Sequence, residues 1–376
     1  MAYLPSTAQD ELAASVRRFL ADHLSLQKVR SLTESENGFD PQVWSALGGQ
    51  LDVLGLAVPT EFGGSGGGYR DQALVAEEIG AVLCPLPYLS TVGLAAPLLL
   101  SASDEARACW LPGVLDGSVR ATVAVSDVGS VRDVWVTSTT RTTAPEDGGK
   151  TSLSGAATFV LDGAAADIAF VLAQSVDGPA FFAVELAGAG VTRQPLVTLD
   201  PSRPMAEVIF DGCAAQPLGA GGGTLGPVFD VGLTILAMEQ VGAARRCLEM
   251  STEYARTRTQ FGRKIGSFQA IKHRCADMLV ALESARVAAL HAAWAADVAP
   301  AELAVAASAA KVLASEALLF CAKQNIQIHG GIGVTAEHDA HLFYRRAQSS
   351  NLLLGGATAH RRRLADKLQF APEVGP

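Results

Sequence analysis

Leu12, Val16, Phe19 and Leu20 recur at helical spacing, and Thr7 ahead of them can cap a helix N-terminus. A second such segment, 42–51, leads into Leu54-Gly-Leu-Ala-Val-Pro59 and then a glycine-rich turn over 62–68. Helical periodicity resumes over 69–82 and is stopped by Pro85 and Pro87, which lack the N–H a helix interior needs. From about residue 120 the texture changes. Short β-branched or apolar runs at 121–125, 134–137, 151–153, 158–161, 168–173, 180–185, 190–194 and 206–210 are punctuated by Gly, Asp and Pro. That rhythm predicts an antiparallel β-barrel or sandwich with no helix of ordinary length between the strands. The glycine-rich stretch 219–226 reads as a flexible connection, after which Pro227 suits a first helical position. Ala, Leu, Glu, Gln and Arg then predict helices over 227–256, 267–297, 301–328 and 337–368, the last broken at Gly355-Gly356.

These textures define an α+β chain: an N-terminal helical domain over 1–119, a middle β domain over 120–226 and a C-terminal four-helix bundle domain over 227–376. A doubly wound sheet would alternate strands and helices throughout, which this chain does not. Alanine-rich helices this long need a wide partner surface, so a bundle extending across subunits is expected. With 49% hydrophobic and 18% charged residues among 376, wholesale disorder is excluded. The net charge of −9 speaks against nucleic acid as a partner. Six scattered cysteines without a CxxC pair suit reduced thiols rather than a disulfide framework or a zinc site. The first ten residues lack the pattern of a signal peptide, and apolar runs such as 92–100 fall short of the about 20 residues that span a bilayer. A soluble, cytoplasmic protein without membrane partners is the expectation.

The densest polar cluster runs from Tyr254 to Gln269. Arginine forks, an amide and the turn permitted by Gly262 and Gly266 suit a pyrophosphate, which takes bidentate donors and close backbone approach. Arg256, Arg258, Arg263 and Lys264 could equally serve to neutralise a helix C-terminus. His338 and His341 lie at i, i+3 but lack a third ligand, so no metal site is assigned. The 62–68 turn has no strand–turn–helix context or Gly-Lys-Ser/Thr and reads as a flexible surface turn. Ser154 and Ser349-Ser350 lack a nucleophile-elbow context. Arg361-Arg-Arg363 reads as a solvated helix face.

Arg258-x-Gln-Phe-Gly-x-x-Ile-x-x-Phe-Gln269-x-x-x-His273-x-x-Ala-Asp277-Met resembles a signature of the acyl-CoA dehydrogenase family of flavoproteins. Gln327-Ile-His-Gly-Gly-Ile-Gly-Val-Thr-Ala-Glu337, followed by Arg345, resembles that family's second C-terminal signature. Leu54 to Gly64 resembles its N-terminal loop. The resemblance spans nearly the whole chain and implies helical, β and four-helix domains, usually assembled as tetramers. It implies that Arg258, Gln260 and Phe261 contact an FAD bound mainly by a neighbouring subunit, and that Gln327, Gly330 and Gly331 hold its ADP half. The implied reaction is α,β-dehydrogenation of an acyl-CoA thioester: a carboxylate removes the α-proton and the β-hydrogen leaves as hydride to the flavin.

Several positions depart from that pattern. Leu354, nine residues after Arg345, stands where many members carry the catalytic glutamate, and the earlier alternative position falls on Gly232. Nearby Asp230 and Glu239 miss the family position. Glu239 is a weak alternative base and reads better as a structural partner of Arg245 or Arg246. In the β domain, Ser126-Asp-Val-Gly129 and Phe159-Val-Leu-Asp162 replace the flavin-facing Thr-Glu-Pro-Gly and Trp-Ile-Thr-Asn segments, and Leu161 removes a hydroxyl. Ser126 and Phe159 are the ring-side contacts this matching leaves. The pattern resembles the base-lacking subunit of heteromeric acyl-CoA dehydrogenases acting on bulky thioesters such as steroid side chains. That implies a second subunit in a heterotetramer and an electron-transferring flavoprotein as acceptor. A self-sufficient homo-oligomer with a relocated base, and a flavin-free scaffold, stand as the alternatives.

Overall fold

The computed structural model describes residues 4–35, 38–125, 140–143 (backbone) and 151–368. In chain order the helices are α1 (Thr7–His23), α2 (Leu26–Thr33), α3 (Pro41–Gly49), α4 (Tyr69–Ala81), α5 (Ala96–Leu100) and α6 (Asp104–Leu115). Strands β1 (Ala121–Val125), β2 (Thr140–Thr143), β3 (Thr151–Leu161), β4 (Ile168–Ser175), β5 (Gly178–Glu185), β6 (Val191–Pro195) and β7 (Met205–Gly221) follow. The remainder is α7 (Leu225–Thr257), the hairpin β8 (Thr259–Gln260) and β9 (Arg263–Lys264), α8 (Gln269–Val298), α9 (Pro300–His329), α10 (Ala340–Leu352) and α11 (Ala357–Lys367). The expected helical–β–helical order is therefore present. The chain forms two compact units, each drawn from separate stretches: Met1–Arg30, Tyr69–Cys84 and Leu233–Pro376 in one, Ser31–Gly68 and Pro85–Gly232 in the other.

In the first unit α1 opens on a capping box. Ser6 Oγ accepts the Gln9 N–H and Gln9 Oε1 accepts the Ser6 N–H, so the cap is Ser6 and not Thr7. Helices α4 and α7 run against each other with almost no side chain between them. A Cβ on Gly80 would lie 2.0 Å from the Glu239 carbonyl oxygen, and one on Gly242 would lie 1.8 Å from that of Glu77. Beside this contact two carboxylates are buried. Glu78 accepts two bonds from Arg17, at 2.8 and 2.9 Å, and one from Arg245 at 2.9 Å. Glu77 meets Arg286 at 3.2 Å and Arg245 at 3.4 Å. Carboxylates this deeply buried persist only when paired, because an uncompensated buried charge is strongly destabilising. Helix α9 packs Leu303, Ala307, Ala310, Ala314, Leu318 and Cys321 inward at helical spacing. It is the one helix among the described residues long and apolar enough to cross a membrane, which the sequence reading missed; 61% of its most apolar window is buried within the protein.

In the second unit the strands close a ring in the order β4, β2, β3, β7, β5 and back to β4, with β1 added on β4 and β6 on β7. Leu153, Val171, Phe182, Val184, Val208 and Phe210 fill its interior. The pairing is mixed. β1 and β2 both run parallel to β4, and the rest are antiparallel. The runs expected separately at 151–153 and 158–161 form one strand, β3, bent by two bulges. Pairing of Pro217 and Gly221 with β5 draws the first glycines of 219–226 into β7, so that stretch is not a free linker. Positions 134–137 lie outside the described residues. The 62–68 turn is also held: the Arg107 guanidinium stacks 4.2 Å over the Phe62 ring, and a Cβ on Gly64 would lie 2.1 Å from the Val58 carbonyl oxygen.

Gly242→Ala is expected to force α4 and α7 apart and lower stability by about 1–3 kcal/mol or more, read as a shift in the urea unfolding midpoint. An unchanged midpoint would show that the two backbones do not touch.

Candidate functional site

The cationic cluster after α7 divides by what each residue does. Lys264 Nζ donates to the Thr257 carbonyl at 2.6 Å, satisfying the open C-terminus of α7. Arg263 lies 4.1 Å over the Phe268 ring. Lys264 thus serves the helix end, as the helix-neutralising reading expects, whereas Arg263 is engaged by an aromatic face instead. Arg258 differs. Its backbone bonds Tyr254 and Ile265, while its exposed guanidinium has no hydrogen bond or ion pair among the described residues. Between β8 and β9, Phe261 and Gly262 both take positive φ, at 53° and 74°, which is the two-residue primed turn of a tight hairpin. A phenylalanine rarely adopts such a φ, and here its ring is 90% exposed. Gln260, on β8, is exposed as well.

The second signature ends α9. Gln327 faces outward on the last turn, and Gly330 takes φ 65° and ψ −141°, a conformation essentially reserved for glycine. Gly330 and Gly331 present open backbone, with nothing within 4 Å of where a Cβ would stand. The ring of His329 stacks on Tyr254 at 4.4 Å, and Tyr254 accepts the Arg258 N–H. That stack sets the end of α7, and so the root of the hairpin, beside the end of α9. Arg30 then pins the following loop, donating to the Ala336 and His338 carbonyls and to Asp339.

The turn between α10 and α11 holds no acid. Leu354 is buried with φ 51°, and its carbonyl accepts His360 Nε2 at 2.8 Å. Behind it the fully buried Lys311 of α9 donates to Ser350 O at 2.6 Å and Ser315 Oγ at 2.9 Å, capping α10 from within. Glu239 sits in the α4–α7 contact. Arg245 and Arg246, expected as its partners, engage Glu77, Glu78 and Glu249 instead, because those carboxylates lie on the faces the guanidinium groups reach. Asp230 is buried and engaged.

In the second unit Phe159 stands at the β3 bulge with φ 54° and 58% exposed, whereas Leu161 is buried. Thr122 Oγ1 donates to the Leu161 carbonyl at 2.6 Å, and Ser90 Oγ donates to Asp162 at 2.6 Å. Ser126 lies outside the described residues. Among the described residues no group of three or more His, Cys, Asp or Glu could hold a metal ion. Sequence reasoning missed Arg30, Lys311, Thr122 and Ser90, whose roles arise from partners far along the chain.

An exposed guanidinium, an amide and open glycine backbone form a donor set for phosphate oxygens. This set fits the phosphate half of a dinucleotide, while Leu161 supplies no side-chain donor to a flavin ring. The chain itself belongs to the acyl-CoA dehydrogenase family, whose members are oxidoreductases acting on acyl-CoA: residues 225–369 match the family's C-terminal domain and residues 6–118 its N-terminal domain. It is 33% identical to the acyl-CoA dehydrogenase IpdE2 of Mycobacterium tuberculosis over 98% of this chain and 99% of that one. Among solved structures it is similar to a variant of the Tcur3481-Tcur3483 steroid ACAD, with a TM-score of 0.85 and 31% identity over 96% of this chain and 98% of that one. It is also similar to the ChsE4-ChsE5 complex from M. tuberculosis, with a TM-score of 0.88 and 29% identity over 99% of this chain and 100% of that one.

Lys311→Met is expected to leave the α10 carbonyls unsatisfied and cost about 1–3 kcal/mol. Faster amide exchange around Leu354, with the rest of α9 protected, is the accompanying sign; unchanged exchange there would contradict the capping role.

Proposed function

We propose that this chain is the base-lacking subunit of a heteromeric acyl-CoA dehydrogenase and completes an FAD site carried mainly by a second subunit. The observation that carries this reading is the pairing of a buried Leu354 where the family's glutamate stands with an Arg258 guanidinium left exposed on its hairpin. A leucine cannot take the α-proton of a thioester, so the carboxylate that does so belongs to the partner. In this reading Arg258 and Gln260 donate to the pyrophosphate, Phe261 lies against the dinucleotide, and Gln327 with the Gly330 and Gly331 backbone receives the ADP half. FAD, when bound, supplies the hydride acceptor for the β-hydrogen. Ser126 and Phe159 are the remaining ring-side candidates. The named steroid and two-component relatives favour a bulky acyl-CoA substrate, such as a steroid side-chain thioester, and a heterotetramer. An electron-transferring flavoprotein as acceptor and a cytoplasmic location follow from the same reading. A self-sufficient homo-oligomer is disfavoured because Glu239, whose backbone lies at the α4–α7 contact, has a buried and engaged side chain. A flavin-free scaffold would not need to keep Arg258, Gln260 and Phe261 presented.

Purification of the chain alone and with a co-expressed second subunit tests this directly. Flavin absorbance is expected only in the complex; colour and turnover in the chain alone would establish the homomeric enzyme, and no colour in either state the scaffold. In the complex Arg258→Ala should weaken FAD retention by about 1.5–3 kcal/mol, the worth of a charge-assisted hydrogen bond. Unchanged occupancy would rule the contact out. Leu354→Glu should leave the chain alone inactive toward acyl-CoA, because a base without ring donors cannot complete the site.

A further inference from the structure

Residues 335–339 lie between the 3₁₀ turn Gly330–Val334 and the start of α10 and form no regular element. Backbone carbonyls in such a segment need donors from elsewhere. One side chain brings them. Arg30, 306 positions before Ala336, donates from Nη1 to the Ala336 carbonyl at 2.7 Å and from Nη2 to the His338 carbonyl at 3.0 Å. Nη2 and Nε also donate to Asp339 Oδ1, at 2.8 and 3.0 Å. A planar guanidinium fixes three points at once, which a lysine ammonium cannot match in geometry. At the other end of the loop, α9 packs Ile328 and His329 inward. Gly330 and Gly331 therefore run between two fixed ends. Nothing comes within 4 Å of where their Cβ atoms would stand, and Gly330 holds φ 65° and ψ −141°. Glycine backbone left this open has many conformations to choose from, so its direction depends on how its ends are held.

We propose that Arg30 is a positioning residue for the dinucleotide: by clamping 336–339 it holds the Gly330-Gly331 backbone in the conformation that receives the ADP half. The clamp stands on the geometry alone, while its link to the dinucleotide rests on the flavin reading above. Arg30 acts through the loop and not on the ligand, since Nε, Nη1 and Nη2 are all engaged by residues 336–339. A site whose receiving conformation is populated only part of the time binds more weakly by that fraction. Holding the glycines in advance removes this loss, because the ordering is done before the ligand arrives. Dinucleotide retention thus depends on a side chain of the N-terminal helix α2, outside both C-terminal signatures.

Hydrogen exchange of the full chain tests the clamp at the Thr335 and His338 amides, which bond the Ile332 and Thr335 carbonyls at 3.1 and 3.4 Å. Arg30→Met keeps the aliphatic stem and loses every donor, so exchange there should approach the unprotected rate while the middle of α9 stays protected. Asp339→Ala should act in the same direction, and it removes no helix cap because the Asp339 side chain makes no cap bond to α10. Arg30→Lys should fall between Arg30→Met and the wild type. FAD titrated into the deflavinated co-expressed complex gives the second readout. A loop competent about a tenth of the time raises the FAD Kd about tenfold, and Arg30→Met should show a rise of that order. The visible spectrum of the FAD that does bind should match the wild type, because the ring lies in the partner's pocket. Unchanged loop exchange in Arg30→Met overturns the clamp, and so does exchange that spreads through α7 and α9. Loop exchange that responds while the FAD Kd does not would leave the clamp as packing alone and overturn the proposal. A wild-type complex that takes up no flavin would instead fail the reading on which the proposal rests, and the proposal with it.

Discussion

Helices α4 and α7 meet backbone to backbone at Gly80 and Gly242, and the arrangement of the first unit depends on that contact. Any side chain at either position would separate the helices. Close approach seals Glu77 and Glu78 from water, and sealed carboxylates require the guanidinium groups of Arg17, Arg245 and Arg286 around them. The network joins α1, α4, α7 and α8, so α7 is fixed from several sides. A helix held in this way can carry an exposed, strained hairpin at its end, because the hairpin contributes little to holding the unit together.

The same logic separates function from structure within one basic cluster. Lys264 and Arg263 have local partners, a helix-end carbonyl and an aromatic face. Arg258 has an anchored backbone and an exposed head, and Phe261 next to it holds a backbone conformation that costs free energy without burying its ring. Exposure, strain and an unpaired cation set this hairpin apart from the packed residues around it. At Leu354 the opposite holds: the side chain is buried and the turn is tied to His360, so that position does packing work.

Much of this fold was legible in the residues. The long C-terminal helices follow from alanine- and leucine-rich periodicity, and their expected ends fall within a few residues of those observed, because glycine and proline punctuate them. The capping residue was misplaced by one since Ser6 and Thr7 both offer a hydroxyl and only the reach to Gln9 separates them. β7 extends into a glycine run because pairing with β5 supplies the order that composition withholds. Parallel pairing of β1 with β4, the clamp from Arg30 and the buried amine of Lys311 could not be read, since each joins positions remote in sequence. Arg258, Gln260, Phe261, Gln327, Gly330 and Gly331 came from two long signatures, and Ser126 and Phe159 from short segments of the β domain. Their division into packing and exposed roles depends on contacts made only in the folded chain.

The most direct measurement of the central claim is the flavin stoichiometry of a purified complex between this chain and the proposed second subunit. One FAD for each pair of unlike chains is expected, held where the partner supplies the base. Two FAD per pair, one in each chain's own pocket, would contradict it.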